Sequence, residues 1–296
     1  MHGEEMTVIT LGPEGTFSHE LALRLGCRDI VLEPTIHSIF AAVAGGKGDG
    51  IVPIENSEAG GVGPTLDGLM HHPVTITGEM YLPVHHNLAS LVPEDRIRVI
   101  YAHPQTHEQC SEYLETKKIP VIHTSSNAQS ALEARKTPNA GAILSISAAA
   151  LYTMPVIAER IENNPKNVTR FVRISAAQKA PDPAATARTG CEKKCSILID
   201  PDTDRAGLLC DILTVFAKKA VNLTRIESRP SKRGMGKYVF FLDYSVSPGT
   251  FEALAELKAI TKVKDLGCYL EILVPENRAN GTNSTGTPGK SMGGSV

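Results

Sequence analysis

The sequence contains no tryptophan, and aromatic residues make up only 5% of its 296 residues. Nucleic-acid bases stack on aromatic side chains, so this shortage argues against a single-stranded nucleic-acid partner. A surplus of positive charge is also missing, because 30 lysines and arginines are balanced by 32 aspartates and glutamates. A chain with a net charge of -2 is not expected to bind a polyanion. Both absences favour a protein that acts on small molecules.

Sets of residues with metal-ligand spacing are lacking as well. Of the six cysteines, only Cys191 and Cys195 lie close together, and no second pair completes a zinc site. No carboxylate or cysteine stands at metal-ligand spacing from His71, His72, His85, His86 and His107. We therefore expect no metal, and we expect ordinary reduced thiols in a cytoplasmic protein.

Long apolar runs are rare. Residues 139–158 carry no charged side chain and approach membrane-spanning length, but they are rich in alanine and contain Gly141 and Pro155. A buried strand followed by a packed helix fits this segment better, so no membrane partner is expected. The acidic pair Glu4 and Glu5 precedes the first apolar run, so no signal peptide is expected either.

Short apolar runs alternate with helical patterns over residues 6–175. This alternation is typical of β-α units around a largely parallel sheet and predicts an α/β domain. Extended segments near residues 74–92 separate two such clusters, which suits two lobes with a cleft between them. Residues 176–192 have no periodicity and contain Pro181 and Pro183, as is typical of a linker.

The pattern changes to β-α-β-β-α-β over residues 193–276. This order of elements predicts a ferredoxin-like second domain. The tail at residues 277–296 consists mostly of glycine, serine, threonine, asparagine and proline, so it is predicted to be disordered.

Polar loops follow four apolar strands of the first domain, and they begin at Gly12, Glu55, His103 and Ser125. Open α/β sheets bind ligands at the carboxyl ends of their strands. The first loop also leads into a helix, whose free amides can hold an anion. Each loop alone could equally be a tight turn or a surface loop, but together they predict a ligand site.

The segment Asn167-Val168-Thr169-Arg170-Phe171 lies in an asparagine-rich loop that leads into a strand. A guanidinium group suits a carboxylate, and a threonine hydroxyl can donate a proton or a hydrogen bond. From the residues alone, a loop-to-strand junction with a surface arginine remains the alternative.

Taken in order, these segments resemble the prephenate dehydratase family across residues 7–275. The matching motifs are GPxGT at 12–16, PIENS at 53–57, TLD at 65–67, LPxxHxL at 82–88, HPQ at 103–105, Gln109-Cys110, SxxAAxxY at 145–152 and NxTRF at 167–171. The C-terminal part resembles the ACT domain of that family, with a Glu-Ser-Arg-Pro string at 227–230. Four positions depart from the usual residues: Gly61, Asn127, Asn163 and Ala206.

The resemblance implies a two-lobed catalytic domain of the type II periplasmic-binding-protein-like fold, followed by a ferredoxin-like βαββαβ ACT domain. It implies conversion of prephenate to phenylpyruvate, water and carbon dioxide without a cofactor, in phenylalanine biosynthesis. Feedback control by L-phenylalanine and a homodimer or homotetramer are also implied. Arogenate dehydratase and a non-catalytic amino-acid-binding sensor stay open as alternatives. A fused chorismate mutase is not expected, because no helical domain precedes Thr7.

The resemblance also implies the site residues. We expect Thr169 to assist the leaving hydroxyl, Arg170 to bind a carboxylate and Glu55 to be a second candidate acid. The substrate is expected to contact Thr16, Asn56, Ser57, Thr65, His86, His103, Gln105, Ser126, Ser145, Asn167 and Phe171. The effector is expected to contact Gly207, Leu208, Leu209, Asn222, Leu223, Glu227, Ser228, Arg229 and Pro230.

Overall fold

A computed structural model describes residues 7–177, 193–202 and 205–275 of the protein. The predicted tail and all of the predicted linker except Ala176 and Ala177 lie outside these ranges. Within them, no helix combines the length and the apolar character that a membrane crossing requires.

The secondary structure elements are numbered in chain order. The strands are β1 Val8–Leu11, β2 Ile30–Glu33, β3 Asp49–Asn56, β4 Gly60–Gly61, β5 Val74–Pro83, β6 Asn87–Ser90, β7 Val99–Ala102, β8 Val121–His123, β9 Ala140–Leu144, β10 Val156–Ala158, β11 Val168–Ala176, β12 Lys194–Ile199, β13 Leu223–Pro230, β14 Tyr238–Ser245 and β15 Val263–Tyr269. The helices are α1 Phe17–Arg24, α2 Ile36–Ala44, α3 Gly63–His71, α4 Pro104–Gln109, α5 Ser111–Lys117, α6 Asn127–Lys136, α7 Ile146–Leu151, α8 Leu208–Lys218 and α9 Thr250–Ile260.

Two lobes make up the first part of the chain. Lobe 1, residues 7–83 and 168–177, is built on a sheet in the order β2-β1-β3-β11-β5, with the short β4 beside β3. The β1 strand is parallel to β2 and β3, whereas β11 runs antiparallel between β3 and β5. Lobe 2, residues 84–167, has a sheet in the order β10-β6-β9-β7-β8.

Lobe 2 is inserted in the chain between two strands of lobe 1 that are neighbours in its sheet, β5 and β11. Pro83, the last residue of β5, is paired with Val168, the first residue of β11. The amide of Val84 donates to the carbonyl of Asn167 at 2.9 Å. The chain therefore leaves lobe 1 and returns to it at one place, next to Thr169.

The C-terminal domain follows the order β12-α8-β13-β14-α9-β15, with its antiparallel sheet arranged β13-β14-β12-β15. One face of this sheet packs on α8 and α9, and the other packs on lobe 1. Successive strand residues point to opposite faces, so Leu242 and Tyr244 join the helices while Phe241 joins the core of lobe 1. The observed architecture confirms the predicted fold class.

Lobe 1 and the C-terminal domain share a continuous interface. Leu198 and Phe241 belong to one apolar cluster with Ile9 and Val172 of lobe 1. The chain after β15 also runs along β5, where the amide of Ile272 donates to the Glu79 carbonyl at 2.7 Å. This segment covers part of the edge strand β5, which would otherwise present unpaired backbone groups.

Cys195 in β12 and Cys268 in β15 are paired in register and form a disulfide, with their Cα atoms 4.0 Å apart. The expectation of six reduced thiols is therefore wrong for this pair. Antiparallel pairing brings together residues that are 73 positions apart, which spacing along the sequence does not reveal. Burial raises the pKa of the Cys110 thiol to about 12, so this cysteine is a poor nucleophile.

Candidate active site

The end of β3 and the start of β11 bring two polar side chains together. Asn56 is paired in register with Thr169. Its Nδ2 donates to Thr169 Oγ1 at 3.0 Å and to Asn167 Oδ1 at 2.7 Å. In the described part of the chain the Thr169 hydroxyl donates to no acceptor, so its proton is available to a bound ligand.

The loop after β3 is fixed to the start of β11. Asn56 Oδ1 accepts from the amides of Glu58 and Ala59, both at 3.0 Å, as in an Asx turn. Ser57 Oγ accepts from the amide of Val168 at 3.0 Å, and the Ser57 amide donates to the Val168 carbonyl at 3.0 Å. These bonds set the direction in which Asn56 presents its amide to Thr169.

A carboxylate of this loop reaches lobe 2. Glu58 Oε2 accepts from Asn167 Nδ2 at 3.0 Å and from Gln109 Nε2 at 3.1 Å. Asn167 is the last residue of lobe 2 and Gln109 the last residue of α4, so both bonds join the two lobes. Neither Glu58 nor Gln109 is among the expected site residues. The sequence signals for them are the position of Glu58 directly after the PIENS motif and the Gln109-Cys110 match.

His86 extends this polar chain beyond Gln109. Its Nε2 lies 2.9 Å from Gln109 Oε1. The amide nitrogen of Gln109 is used on Glu58, so Oε1 is the acceptor and His86 Nε2 carries the proton. The side chain is 1% exposed, and burial lowers the pKa of His86, so the ring is neutral at pH 7. Its Nδ1 has no hydrogen-bond partner among the described residues.

Four of the expected substrate-binding residues begin helices. Thr16, His103, Ser126 and Ser145 are the N-caps of α1, α4, α6 and α7, and each side chain accepts from an amide of the first turn. Their acceptors are therefore used inside the protein. The remaining first-turn amides have no acceptor in their own helix, and such amides are able to donate to an anion. Gln105, in the first turn of α4, is exposed.

The glycine loop before α1 touches lobe 2 directly. The Tyr152 hydroxyl donates to the carbonyl of Glu14 at 3.0 Å. Gly15 has a φ of +87°, and a Cβ at this position would lie 3.1 Å from the Tyr152 ring. Both the backbone conformation and the close approach of Tyr152 favour glycine here.

Arg170 and Glu55 point away from Thr169 and Asn56. Arg170 donates to Glu79 at 2.8 Å, to Asp243 at 2.6 Å and to the Tyr269 hydroxyl at 3.0 Å. Glu55 lies 3.2 Å from Arg225 Nε. Strand alternation turns both side chains towards the C-terminal domain. These contacts contradict the expectation that Arg170 binds a substrate carboxylate, and they place Glu55 on the wrong face to act as an acid beside Thr169.

Thr65 and Phe171 are core residues. The Thr65 side chain is fully buried, and its hydroxyl donates to the carbonyl of Pro53 at 2.6 Å. Phe171 is 1% exposed and packs in a cluster with Leu21 and Met80. Burial in these positions contradicts the expectation that either residue contacts the substrate.

The expected effector residues divide into two groups. Along β13, Glu227 and Arg229 face lobe 1, where Arg229 lies 3.5 Å from Asp67. A Cβ at Gly61 would meet the Glu227 carboxylate, so glycine at this position lets Glu227 approach. Leu208 is buried in the domain core, and Leu209 and Leu223 are half-buried. The exposed members are Gly207, Asn222, Ser228 and Pro230.

The described residues contain no cluster of side chains that could hold a metal ion. Across residues 7–177, 193–202 and 205–275, no cluster of three or more histidine, cysteine, aspartate and glutamate side chains is arranged to hold a metal ion. The candidate site therefore consists of hydroxyl, amide, carboxylate and neutral imidazole groups from both lobes.

Comparison with known sequences identifies both parts of the chain. The profile of the prephenate dehydratase family matches residues 8–179, and that of the ACT domain matches residues 203–262. The bifunctional chorismate mutase/prephenate dehydratase of Stutzerimonas stutzeri is 37% identical over 247 residues, which are 81% of this chain. This chain spans 65% of that protein, slightly less than two thirds of its length.

Two further relatives match over most of their length. The prephenate dehydratase of Bacillus subtilis is 32% identical over 285 residues, which cover 89% of this chain and 98% of that protein. Among solved structures, the prephenate dehydratase of Arthrobacter aurescens in complex with L-Phe gives a TM-score of 0.80 at 30% identity. That match covers 89% of this chain and 90% of the Arthrobacter chain.

Proposed function

This chain belongs to the prephenate dehydratase family, as its motifs predicted, and we propose that it converts prephenate to phenylpyruvate, water and carbon dioxide. One observation carries the proposal: where the chain re-enters lobe 1, the Thr169 hydroxyl accepts a hydrogen bond from Asn56 and donates to no acceptor among the described residues. The reaction needs a proton or hydrogen bond at a departing hydroxyl, which this group can supply.

The chemistry requires two bonds between the ring and its substituents to break. The electron pair of the carbon–carboxylate bond moves into the ring, the carbon–oxygen bond at the opposite carbon breaks, and the departing hydroxide takes up a proton to become water. The ring becomes aromatic, so the overall balance needs no external oxidant or reductant. Negative charge develops on the departing oxygen, and a hydrogen bond directed there stabilises the transition state.

Thr169 is a weak acid, so its position matters more than its acidity. Asn56 donates to Thr169 Oγ1 at 3.0 Å and thereby directs the hydroxyl proton to the other side of the oxygen. Accepting a hydrogen bond also polarises the hydroxyl and makes it a stronger donor. We therefore assign Thr169 to the leaving group and Asn56 to the orientation of Thr169.

Neutral donors suit the substrate carboxylates. Because Arg170 is turned away, we assign carboxylate binding to the first-turn amides of α1 and α6, which follow Thr16 and Ser126. A cation paired tightly with the ring carboxylate would oppose its loss, because the charge disperses as carbon dioxide forms. Amide donors hold the group without that penalty.

Regulation by L-phenylalanine is part of the proposal. The Arthrobacter relative was solved with L-Phe, and Gly207, Asn222 and Ser228 of the C-terminal domain are exposed and thus accessible to a ligand. We further propose that residues 6–175 form the catalytic domain and residues 193–276 the regulatory domain. We propose that the chain assembles as a homodimer or homotetramer in the cytoplasm. Calorimetric titration that detects no L-phenylalanine binding to the full chain would exclude this effector.

The test of the catalytic assignment is Thr169→Ala, with Thr169→Ser as the matched control. We expect kcat for phenylpyruvate formation from prephenate to fall by about a hundredfold or more in Thr169→Ala. Thr169→Ser keeps the hydroxyl and should retain most of the wild-type kcat. Unfolding curves establish that both variants are folded.

Two outcomes would contradict the proposal in different ways. A folded Thr169→Ala variant that keeps the wild-type kcat removes the role of Thr169. A wild-type protein that forms no phenylpyruvate from prephenate removes the proposed activity. Arogenate is assayed in parallel, since the two substrates differ only in an amino or keto group on the side chain.

A further inference from the structure

The two strand residues beside Thr169 and Asn56 are both held by the C-terminal domain. Arg170 and Glu55 are paired in register, as are Thr169 and Asn56. On the face away from lobe 2, Arg170 Nη1 donates to Asp243 at 2.6 Å and Glu55 lies 3.2 Å from Arg225. Each lobe 1 charge therefore meets an opposite charge from the C-terminal sheet.

Asp243 is itself fixed by its neighbours. Ser196 Oγ donates to Asp243 Oδ1 at 2.5 Å, and the Tyr269 hydroxyl lies 2.6 Å from Ser196 Oγ. The Ser196 proton is used on Asp243, so Tyr269 is the donor of the second bond. Arg170 Nη2 then donates to the Tyr269 oxygen at 3.0 Å. The hydrogen bonds close a ring through Arg170, Asp243, Ser196 and Tyr269.

The guanidinium of Arg170 stays charged at neutral pH. Burial alone would lower the pKa of Arg170, but the charges of Asp243 and Glu79 outweigh it and raise the pKa, so the guanidinium stays protonated. Lys194 adds a second cation 2.8 Å from Glu79. Removing one partner of such a buried pair leaves the other charge uncompensated, which makes the contact hard to replace.

The strand needs this support because its pairing with β3 is irregular at the same point. The register of β11 against β3 shifts between Arg170 and Phe171, directly after the Glu55–Arg170 pair and one pair beyond Asn56–Thr169. A bulge interrupts the ladder of backbone hydrogen bonds, so the ladder alone fixes the strand less firmly there. Contacts from side chains can supply the missing constraint.

We infer that Asp243 and Arg225 are positioning residues for the reaction: by holding Arg170 and Glu55, they fix β11 against β3 where Asn56 orients Thr169. The inference rests on the proposed function of Thr169. It gives the C-terminal domain a part in turnover itself, in addition to any part in effector binding. Neither Asp243 nor Arg225 touches the substrate, so they act through the strands they hold.

The first test is Asp243→Asn, which keeps the size of the side chain and removes its charge. We expect kcat to fall by about tenfold while KM changes by less than about twofold, because a small displacement of a reacting group lowers kcat without removing binding contacts. Asp49→Asn is the matched control. Asp49 accepts from Arg173 of the same strand at 2.7 Å but lies wholly within lobe 1, so kcat should be unchanged.

Amide hydrogen exchange over residues 167–171 of the full chain provides a readout independent of activity. We expect faster exchange in Asp243→Asn than in the wild type, and no change in Asp49→Asn. If Asp243→Asn does not fold, Arg225→Gln tests the second, less buried contact, and it should give the same shift in kcat and exchange on a smaller scale.

The outcomes separate the inference from the proposed function. Wild-type kcat and exchange in folded Asp243→Asn would overturn the inference, and so would equal losses in Asp243→Asn and Asp49→Asn. An increase in KM with an unchanged kcat would also overturn it, since it would indicate a binding defect. If the wild type forms no phenylpyruvate, the proposed function fails, and the exchange measurement still decides whether the C-terminal domain holds β11.

Discussion

Lobe 1 has two interfaces of opposite character. With the C-terminal domain it shares an apolar cluster that includes Leu198 and Phe241, and the ion pairs Arg170–Asp243 and Glu79–Lys194. With lobe 2 it makes individual polar contacts, such as the bonds from Gln109 and Tyr152. The apolar clusters of the described lobe 2 residues contain no residue of lobe 1.

This difference indicates which part of the molecule moves. Separating an apolar interface exposes its whole area to water, which costs about 25 cal/mol of free energy per Å². A hydrogen bond between lobes can instead be exchanged for one to water at a small net cost. We therefore expect lobe 1 and the C-terminal domain to behave as one block. Lobe 2 should open and close against this block as substrate enters and product leaves.

The largest expected effect on stability comes from truncating a side chain of the apolar interface between lobe 1 and the C-terminal domain. Phe241→Ala should lower the free energy of unfolding by about 3–5 kcal/mol, because Phe241 is 2% exposed and its removal leaves a cavity. Urea denaturation measures this change. Tyr238→Ala on the same strand is the control, since Tyr238 is exposed and should change stability by about 0.5 kcal/mol or less. Equal effects would contradict the description of this interface.

A polar contact of the same interface should matter less. Lys264 Nζ donates to the carbonyls of Leu69 at 2.7 Å and His72 at 2.8 Å, and so caps the end of α3. We expect Lys264→Met to lower the free energy of unfolding by about 2 kcal/mol, as for other hydrogen bonds from charged groups. Lys262→Met, at an exposed position of the same segment, should have little effect in the same urea titration. A similar loss in both variants would argue against a specific cap.

The polar chain between the lobes should make stability depend on pH. Burial holds the pKa of His86 below its ordinary value of about 6.5, so the folded ring stays neutral where the unfolded chain binds a proton. Its contribution is complete above about pH 6.5 and is lost as the pH falls below it, by at most about 1.4 kcal/mol per pH unit. His72 and His103 shift in the same direction, so the measurement is the difference between wild type and His86→Gln. If wild type and His86→Gln differed in urea midpoint by the same amount at every pH, this pH dependence could not be assigned to His86.

The smallest effect is expected from a single bond between the lobes. Tyr152→Phe removes the hydrogen bond to Glu14 and should lower the free energy of unfolding by about 1 kcal/mol or less. If that bond favours the closed form, KM for prephenate should rise by up to about fivefold. Tyr101→Phe is the control, because its bond to Thr137 lies within lobe 2 and should leave KM unchanged. An equal KM shift in both variants would show that closure is not what Tyr152 affects.

The sequence could predict which loops meet but not which way each side chain points. Asn56 and Thr169 both belong to motifs that the sequence shows, and the geometry of strand ends is enough to bring their loops together. The prediction for Arg170 and Glu55 fails because neighbouring strand residues lie on opposite faces. Period-two alternation places Arg170 opposite to Thr169, but the acidic partner comes from a domain whose packing no local pattern reveals.

Other features depend on pairings over long distances along the chain. Helices α4 and α5 meet at Cys110, and the contact of Gln109 with Glu58 depends on how the lobes approach each other. The disulfide partner of Cys195 follows from strand register and not from spacing. These features need the three-dimensional arrangement, whereas the order of strands and helices does not.

The pairing of Pro83 with Val168 gives the protein a modular construction. Lobe 2 is, in effect, a domain inserted at the tip of a β-hairpin formed by β5 and β11. A short turn joining residues 83 and 168 would restore that hairpin, since two-residue turns connect antiparallel neighbours. Such an engineered chain would keep Thr169, Asn56 and the whole C-terminal domain while losing the half of the site that Gln109 and Tyr152 provide. The insertion point thus offers a way to obtain the two halves as separate molecules and to ask what each binds alone.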